Sequence, residues 1–156
     1  MKNIYLFDWG DTLMVDFPCV HGKMCDWETV EAVEGALEAL RHLSKSASIY
    51  IATGAAESSE SDIQLAFERV GLAQFITGYF CKANLGVSKG NPDFLPKIID
   101  LLGVDKALVF MVGDSLAKDI EPALKSGIQP IWYNPKLDDS EPKGVKVIQH
   151  LTELCI

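Results

Sequence analysis

The chain alternates short apolar runs with longer amphipathic stretches, and this alternation predicts its architecture. Short unbroken apolar runs are typical of parallel strands that are covered on both faces. Stretches in which apolar residues recur every three or four positions predict helices packed on such a sheet. Strands that alternate with helices imply a doubly wound, Rossmann-like α/β fold with about five parallel strands. The predicted strands lie at 3–8, 48–52, around 75–81, 107–112 and 129–133, with 145–148 as a possible edge strand.

Helices are predicted between these strands. Thr29 is predicted to cap the first, in which apolar residues recur at helical spacing as far as Leu43, although Gly35 within the pattern leaves a later start open. Asp93 is predicted to cap a helix that places Pro96 at its third position, where a missing N–H is tolerated. Further helices are predicted at about 63–70 and 116–126, and a loop is predicted at 82–90.

The stretch 9–28 has no clean periodicity and is predicted to lie over the strand ends as a loop or small hairpin. We interpret the chain as a single domain, 1–156, with 14–28 as a flap-like insert. So much apolar surface in a loop usually marks a contact site, so 14–28 is predicted to close over the strand ends or to pack against a second subunit. Packing on its own domain stays open as an alternative. The apolar side chains concerned are Phe17, Val20, Met24 and Trp27.

Composition and charge narrow the class of protein. The chain has 22 acidic and 14 basic side chains, and its net charge is −8 at pH 7. A nucleic-acid partner bound through a basic face is therefore not expected. The acid excess still permits a phosphorylated substrate, because a bound divalent cation inverts the local field.

The cysteines and the amino-terminal segment indicate the cellular compartment. The four cysteines lack zinc-site spacing and are expected to be reduced thiols, with a metal or redox site at Cys19, His21 and Cys25 as the weaker alternative. The first apolar run is broken at Asp8 and does not resemble a signal peptide. No stretch reaches the length of a membrane span. A cytoplasmic protein without a membrane partner is the expectation.

Three apolar runs end in chemically reactive residues, namely Asp8, Thr53 and Asp114. The carboxyl ends of parallel strands meet at one edge of an open α/β sheet, where such folds build their sites. Carboxylates held there are partly desolvated, so each must pair with a cation or have a shifted pKa. A magnesium ion held by oxygens of Asp8 and Asp114 would be such a cation.

These residues and their order resemble the haloacid dehalogenase (HAD) superfamily across nearly the whole chain. In the phosphatases of that family an apolar strand ends in Asp-x-Asp-x-Thr or Val, which Asp8 and Thr12 match. The other three motifs are matched by Thr53, by Lys89, and by the run 113–115 together with Asp119. The resemblance implies a HAD-like fold without a large cap domain, and a magnesium-dependent hydrolase, most often a phosphatase with an aspartyl-phosphate intermediate.

The resemblance also implies a role for each matching residue. Asp8 is the expected nucleophile and Lys89 the expected counter-charge for the transferring group. Thr53 and Gly54 are expected to bind the phosphate together with Lys89. The expected metal ligands are Asp8, Asp114 and the carbonyl of Gly10. Residues expected to orient these groups are Thr12, Ser115 and Asp119. Structural alternatives stay open for three of the site residues: Thr53 as a cap of the next helix, Lys89 as a solvated loop lysine, and Asp119 as a partner of the helix dipole.

Two positions depart from the family pattern. Gly90 follows Lys89 where the family usually has proline, and Gly10 replaces a catalytic residue. Gly10 stands where the phosphatases carry their general acid, a group that typically contributes about 10²–10⁴-fold to the rate. Asp11 is the predicted replacement, although a carboxylate that binds a local turn is the competing interpretation. Asp16, His21 and Asp26 are weaker candidates. The phosphonatase pattern Asp-Trp-Ala-Gly-Thr is also close to 8–12, with Lys23 as a possible stand-in for its cap lysine.

Two classes of function follow. The leading hypothesis is a magnesium-dependent HAD-like phosphatase, slowed by Gly10, that acts on a small phosphorylated substrate or on a large substrate reaching an open site. The alternative is a regulatory protein that binds metal and phosphate but turns over poorly, and dehalogenase or phosphonatase chemistry comes last. The position of the Asp11 carboxylate should discriminate between the first two. A homo-oligomer formed through 14–28 is also possible.

Overall fold

Six parallel strands form a single sheet in the order β3-β2-β1-β4-β5-β6 in a computed structural model that describes residues 2–156. The predicted doubly wound α/β fold is therefore confirmed, with six strands rather than about five. The sixth is the edge strand foreseen at 145–148, and it pairs with β5. The strands are Asn3–Phe7 (β1), Ala47–Ala52 (β2), Gly78–Phe80 (β3), Val109–Gly113 (β4), Gln129–Tyr133 (β5) and Lys146–Ile148 (β6).

Helices cover both faces of the sheet. Side chains from α1 and α2 pack with Phe7 of β1 in one buried cluster. Side chains from α4 and α5 pack with Leu6 in a second cluster. Because neighbouring strand residues point to opposite faces, the apolar run of β1 supplies both cores. The helices are Ala36–Ser44 (α1), Glu60–Arg69 (α2), Lys82–Leu85 (α3), Phe94–Leu102 (α4) and Glu121–Ser126 (α5).

The first helix begins later than Thr29. It starts at Ala36, after Gly35 adopts a left-handed conformation with φ 85°. The residues before it pair with the loop after β1: the amide of Val15 donates to the carbonyl of Glu31, and that of Val33 donates to the carbonyl of Leu13. Backbone pairing with a distant segment therefore overrides the helical periodicity of the predicted first two turns.

Other boundaries differ in smaller ways. The stretch 82–90 is not wholly a loop, since it contains the short helix α3. The first two residues of the strand predicted at 107–112 belong instead to a tight helical turn, Lys106–Leu108, and the strand begins at Val109. The helix predicted from 116 begins as a π-helical turn, Leu116–Ile120, and continues as α5. Pro96 does occupy the third position of α4.

The segment 14–28 lies against the domain that carries it. Met24 and Trp27 are buried in the larger core cluster, and Phe17 packs against it. The guanidinium of Arg69 donates hydrogen bonds to the backbone carbonyls of Cys25, Trp27 and Glu28. The packing of Phe17, Met24 and Trp27 covers much of the apolar surface that suggested an interface, although Val20 stays exposed. No large cap is apparent within residues 2–156.

Two further features concern the expectations about membrane spans and cysteines. No helix within residues 2–156 is both long and apolar enough to cross a bilayer. The four cysteines are free thiols, with Cys25 and Cys81 buried. Cys19, His21 and Cys25 do not come together as a metal-binding group in the described part of the chain.

Arg69→Met is expected to loosen 14–28 while retaining the aliphatic part of the side chain. Loss of the donor leaves partly buried carbonyls of Cys25 and Trp27 without their partner, which should cost about 1–2 kcal/mol of unfolding free energy. Limited proteolysis should then cut within 14–28 faster, and thermal unfolding should report the lost stability. Arg41→Met on the exposed side of α1 is the control and should change neither measurement. Equal behaviour of the two variants would contradict this anchoring role.

Candidate active site

The sheet order brings three predicted residues to one edge. β1 lies between β2 and β4, and Phe7 pairs with Val112 in parallel register. The amide of Asp8 donates a hydrogen bond to the carbonyl of Val112 at 2.9 Å. This bond extends the hydrogen bonding between β1 and β4 by one residue past the end of β1. Asp8, Asp114 and Thr53 thus follow adjacent strand ends and line a common cleft of about 750 Å³.

Lys89 lies at the floor of this cleft between two carboxylates. Its Nζ is 2.7 Å from Asp8 Oδ1 and 2.5 Å from Asp119 Oδ1, and its side chain is only 7% exposed. Burial by itself lowers the pKa of Lys89, but the carboxylates of Asp8 and Asp119 outweigh it and raise that pKa. Burial likewise raises the pKa of Asp8, yet the ammonium of Lys89 and the hydrogen bonds to Asp8 leave it below its usual value. The pair is therefore ionised, and Asp8 is available as a carboxylate.

Thr12 joins the two carboxylates that follow β1 and β4. Its buried hydroxyl lies 3.2 Å from Asp8 Oδ2 and 3.2 Å from Asp114 Oδ1. A hydroxyl donates only one hydrogen, so the two contacts cannot both be hydrogen bonds from Thr12. Burial, contact with Asp8 and the charges of Asp8 and Asp119 raise the pKa of Asp114 to about 7. Asp114 is thus crowded by acidic groups that one lysine does not neutralise.

The acidic cluster fits a divalent cation. Asp8, Asp114 and Asp119 each offer a carboxylate oxygen, and these oxygens lie within 4.8 Å of one another. Hard oxygen ligands of this kind suit Mg²⁺. The indole Nε1 of Trp132 donates a hydrogen bond to the backbone carbonyl of Asp114 at 3.0 Å, which fixes the backbone at Asp114. Gly10 also lines the cleft, as its expected role as a carbonyl ligand requires.

Asp119 is held by the backbone that follows β4. Its Oδ2 accepts a hydrogen bond from the amide of Ser115 at 3.1 Å. A β-carbon on Gly113 would overlap the Asp119 carboxylate, so glycine is needed there. Burial raises the pKa of Asp119 to about 6, against the opposing charge of Lys89. The Ser115 hydroxyl accepts a hydrogen bond from the amide of Lys118 at 3.1 Å and caps the following turn.

Thr53 and Gly54 form the wall of the cleft beside Lys89. The Thr53 hydroxyl accepts a hydrogen bond from the amide of Ala55 at 3.1 Å, and its own hydrogen stays available for a ligand oxygen. A β-carbon on Gly54 would lie 3.5 Å from the β-carbon of Lys89. The absence of a side chain at Gly54 keeps the approach to Lys89 open.

Asp11 does not face the cleft. It is exposed, has a left-handed backbone with φ 60°, and its Oδ1 accepts a hydrogen bond from the amide of Asp16 at 3.0 Å. This is the turn-binding arrangement that competed with the catalytic interpretation of Asp11. The expected replacement for the missing acid is therefore not brought to the site.

Asp16 and several other side chains of 14–28 lie closer to the site than the sequence pattern indicates. The side chain of Asp16 lies against Gly10, and Lys23, Met24 and Trp27 also line the cleft. Burial raises the pKa of Asp16, and the charges of Asp11 and Asp8 add to this rise. Lys23 is paired with Asp62 at 2.9 Å. No spacing rule identifies these residues, because they approach the site through the path of a loop.

Comparison with known proteins agrees with this arrangement. Residues 13–133 match the family model described as haloacid dehalogenase-like hydrolase. This chain belongs to that family. The match begins after the segment 8–12, so the geometry around Asp8 is evidence independent of it. The predicted resemblance to the HAD superfamily is confirmed.

Similar proteins include one curated relative and several solved structures. Pyrimidine 5′-nucleotidase PynA of Streptococcus pneumoniae is 36% identical over 66 residues, which are 42% of this chain and 28% of the nucleotidase. This chain therefore matches less than a third of the length of that relative.

Solved structures support the fold. An uncharacterized protein from Listeria monocytogenes serotype 4b aligns with TM-score 0.84 at 20% identity, over 97% of this chain and 93% of that one. The HAD-hydrolase YfnB from Bacillus subtilis, in a structure bound to magnesium, aligns with TM-score 0.76 at 16% identity, over 98% and 96%. Identities this low show a shared fold.

Removal of the charge on Asp114 should stabilise the metal-free protein at alkaline pH. The pKa of Asp114 is about 7 when folded against 3.8 for the free side chain, and that of Asp119 is about 6. The folded state therefore binds more protons between about pH 4 and pH 7, and stability falls as the pH rises through that range. With a chelator present, Asp114→Asn should melt a few degrees above the wild type at pH 8 and lose less stability between pH 5 and pH 8.

Added Mg²⁺ provides the second half of this test. At pH 8 it should raise the melting temperature of the wild type and raise that of Asp114→Asn much less. Asp100→Asn, on the exposed side of α4, is the control and should behave as the wild type does. Identical pH profiles for the wild type and Asp114→Asn would contradict the crowding of carboxylates described above.

Gly113→Ala should destabilise the protein, because the new methyl group overlaps the Asp119 carboxylate. Overpacking of this kind typically costs about 1–3 kcal/mol. Gly90→Ala is the matched control, since a β-carbon there meets nothing within 4 Å. Chemical denaturation of both variants gives the comparison, and equal stabilities would show that Asp119 can move away without cost.

Proposed function

We propose that this protein is a magnesium-dependent phosphatase, a phosphoric monoester hydrolase that works through an aspartyl-phosphate on Asp8. The observation that carries the proposal is the Asp8 carboxylate in an open cleft, with Lys89 Nζ 2.7 Å from its Oδ1 and an acidic cluster beside it. A carboxylate nucleophile for phosphorus needs positive charge close by to neutralise the transferring group.

Each residue of the cleft has a role in this chemistry. Asp8 attacks phosphorus, the bond to the leaving oxygen breaks, and the phosphoryl group is left on Asp8. Lys89 is close enough to Asp8 to interact with oxygens of a phosphoryl group carried there. Thr53 offers a hydroxyl and Gly54 an unobstructed backbone to the same oxygens. Asp8, Asp114 and the Gly10 carbonyl would hold Mg²⁺, which supplies positive charge to the developing oxyanions when bound.

Named relatives support the same class. One relative is a pyrimidine 5′-nucleotidase, a phosphomonoesterase by its name, and one structural neighbour was crystallised with magnesium. Nucleoside 5′-monophosphates are therefore one class to include among the substrates tested. A cytoplasmic setting and a small phosphorylated substrate remain part of the proposal.

A second candidate is a binding protein that keeps the metal and phosphate site without efficient turnover. The observation in its favour is that Asp11 binds a local backbone amide instead of facing the cleft. A subunit interface at 14–28 would suit either candidate, and sedimentation measurements would reveal it.

The test is a screen of phosphate monoesters with Mg²⁺ and with a chelator, using Asp8→Asn as the inactive variant. We expect phosphate release that requires Mg²⁺ and falls to background in Asp8→Asn, because an amide is a far weaker nucleophile than a carboxylate. Asp100→Asn should retain full activity. Acid quenching during turnover should also trap an acyl-phosphate on the wild type.

Three results would contradict parts of this proposal. Phosphate binding without release of phosphate from any ester favours the binding protein. Release that survives Asp8→Asn rejects Asp8 as the nucleophile. Full activity in the chelator rejects the metal.

A further inference from the structure

The inference concerns the proton that a leaving group needs, and it rests on the proposed function. When Asp8 displaces an alkoxide from phosphorus, a nearby acid must protonate the leaving oxygen. When water later attacks the aspartyl-phosphate, a nearby base must remove a proton from it. Asp8 is the nucleophile, Asp114 is expected to hold the metal with it, Lys89 and Asp119 are paired with each other, and Gly10 has no side chain. The proton donor must therefore come from elsewhere on the cleft.

Asp16 occupies the space beside Gly10. A β-carbon built on Gly10 would lie 3.3 Å from the β-carbon of Asp16 and 3.4 Å from its Oδ2. The Asp16 carboxylate thus stands against the place from which a side chain at position 10 would project. Asp16 lines the same cleft as Asp8, and its exposed position lets it meet a substrate that enters from solvent.

Backbone contacts hold Asp16 in this position. Its amide donates to Asp11 Oδ1 at 3.0 Å. The amide of Asp11 donates to the carbonyl of Met14 at 2.7 Å, and that of Val15 donates to the carbonyl of Glu31 at 2.9 Å. The left-handed turn at Asp11 folds the chain back so that Asp16, six positions after Gly10, reaches Gly10. Asp11 then acts as a positioning residue for Asp16.

The other acidic and basic groups of the loop fit the role less well. Asp26 and His21 are exposed and do not line the cleft. Lys23 lines it, but its ammonium is paired with Asp62 at 2.9 Å. Asp11 faces the turn.

We propose that Asp16 is the general acid and base of this enzyme. As the Asp8 oxygen bonds to phosphorus and the bond to the leaving oxygen breaks, the Asp16 carboxylic acid gives its proton to that oxygen and the alcohol departs. The Asp16 carboxylate then takes a proton from water as the water oxygen bonds to phosphorus and the bond to Asp8 breaks. Inorganic phosphate leaves, and both carboxyl groups return to their starting states.

The first experiment compares leaving groups in Asp16→Asn. With an alkyl phosphate, kcat/KM should fall by about 10²–10⁴-fold, the usual contribution of a general acid. With an aryl phosphate, whose leaving group needs little protonation, phosphorylation of Asp8 should stay close to the wild-type rate. The aryl alcohol should then appear as a rapid burst followed by slow turnover, and acyl-phosphate should accumulate because water is no longer deprotonated. Asp26→Asn is the control and should stay within about twofold of the wild type with both esters.

The second experiment moves the carboxylate back to position 10. Asp16→Ala should lose alkyl phosphatase activity as Asp16→Asn does, and it also clears the space that a new side chain needs. Gly10→Asp in that background should recover much of the lost activity, to within about tenfold of the wild type. Gly10→Asp alone should give no gain, since the two side chains would then compete for one place. Thermal unfolding of every variant separates loss of a proton donor from loss of fold.

The outcomes distinguish this inference from the proposed function. Absence of both turnover and acyl-phosphate in the wild type rejects the phosphatase, and the role of Asp16 with it. A working wild type with an equally active Asp16→Asn rejects Asp16 alone. Equal losses on alkyl and aryl phosphates, including a slowed burst, would also reject it, because a merely structural residue would behave in that way. Asp11→Asn keeps a hydrogen-bond acceptor for the Asp16 amide. If Asp11→Asn lost activity on alkyl but not on aryl phosphates while Asp16→Asn did not, the role of general acid would belong to Asp11.

Discussion

A buried ammonium between two carboxylates is the contact on which the rest of the candidate site depends. Lys89 is almost fully covered and touches both Asp8 and Asp119. A charge in such a place is tolerated only when it is paired, and loss of either partner would leave an uncompensated ion. The same contact keeps Asp8 ionised. The cluster still has an excess of acid, which Asp114 carries, and a divalent cation would neutralise that excess.

The sheet explains why these groups meet. Parallel strands end at a common edge, and the central position of β1 places Asp8 between the ends of β2 and β4. The backbone that follows β4 is also shaped around the site. Gly113 leaves room for the Asp119 carboxylate, and Ser115 donates its amide to it. Burial in the core fixes the strands, and the strands fix the spacing of the charges.

The segment 14–28 connects packing to function without a separate cap domain. Met24 and Trp27 are anchored in the core and also line the cleft. Arg69 binds carbonyls of the same segment. A loop fixed in this way can hold a side chain at the mouth of the site, and the placement of Asp16 beside Gly10 is an example. Side chains of 14–28 thus form one wall of the cleft that contains Asp8.

Much of the fold and the centre of the site could be predicted from the sequence. Short apolar runs identified the strands because a buried parallel strand needs apolar residues on both faces. The residues at or just after the ends of these runs identified Asp8, Thr53 and Asp114. Lys89 and Asp119 could be recognised through the resemblance to the HAD superfamily, although their ion pair joins residues from distant parts of the chain. These features follow from local pattern and chain order.

Only the tertiary structure decided what the loop after β1 does. Val30 and Val33 have helical spacing, yet this stretch pairs with 13–15, so α1 begins at Ala36. Asp11 and Asp16 are both acidic residues in one irregular stretch, and no local pattern tells which of them faces the cleft. The left-handed turn at Asp11 and the pairing of its neighbours with a distant segment settle their directions. Such contacts join residues that are remote in sequence, and for that reason the sequence by itself leaves them undetermined.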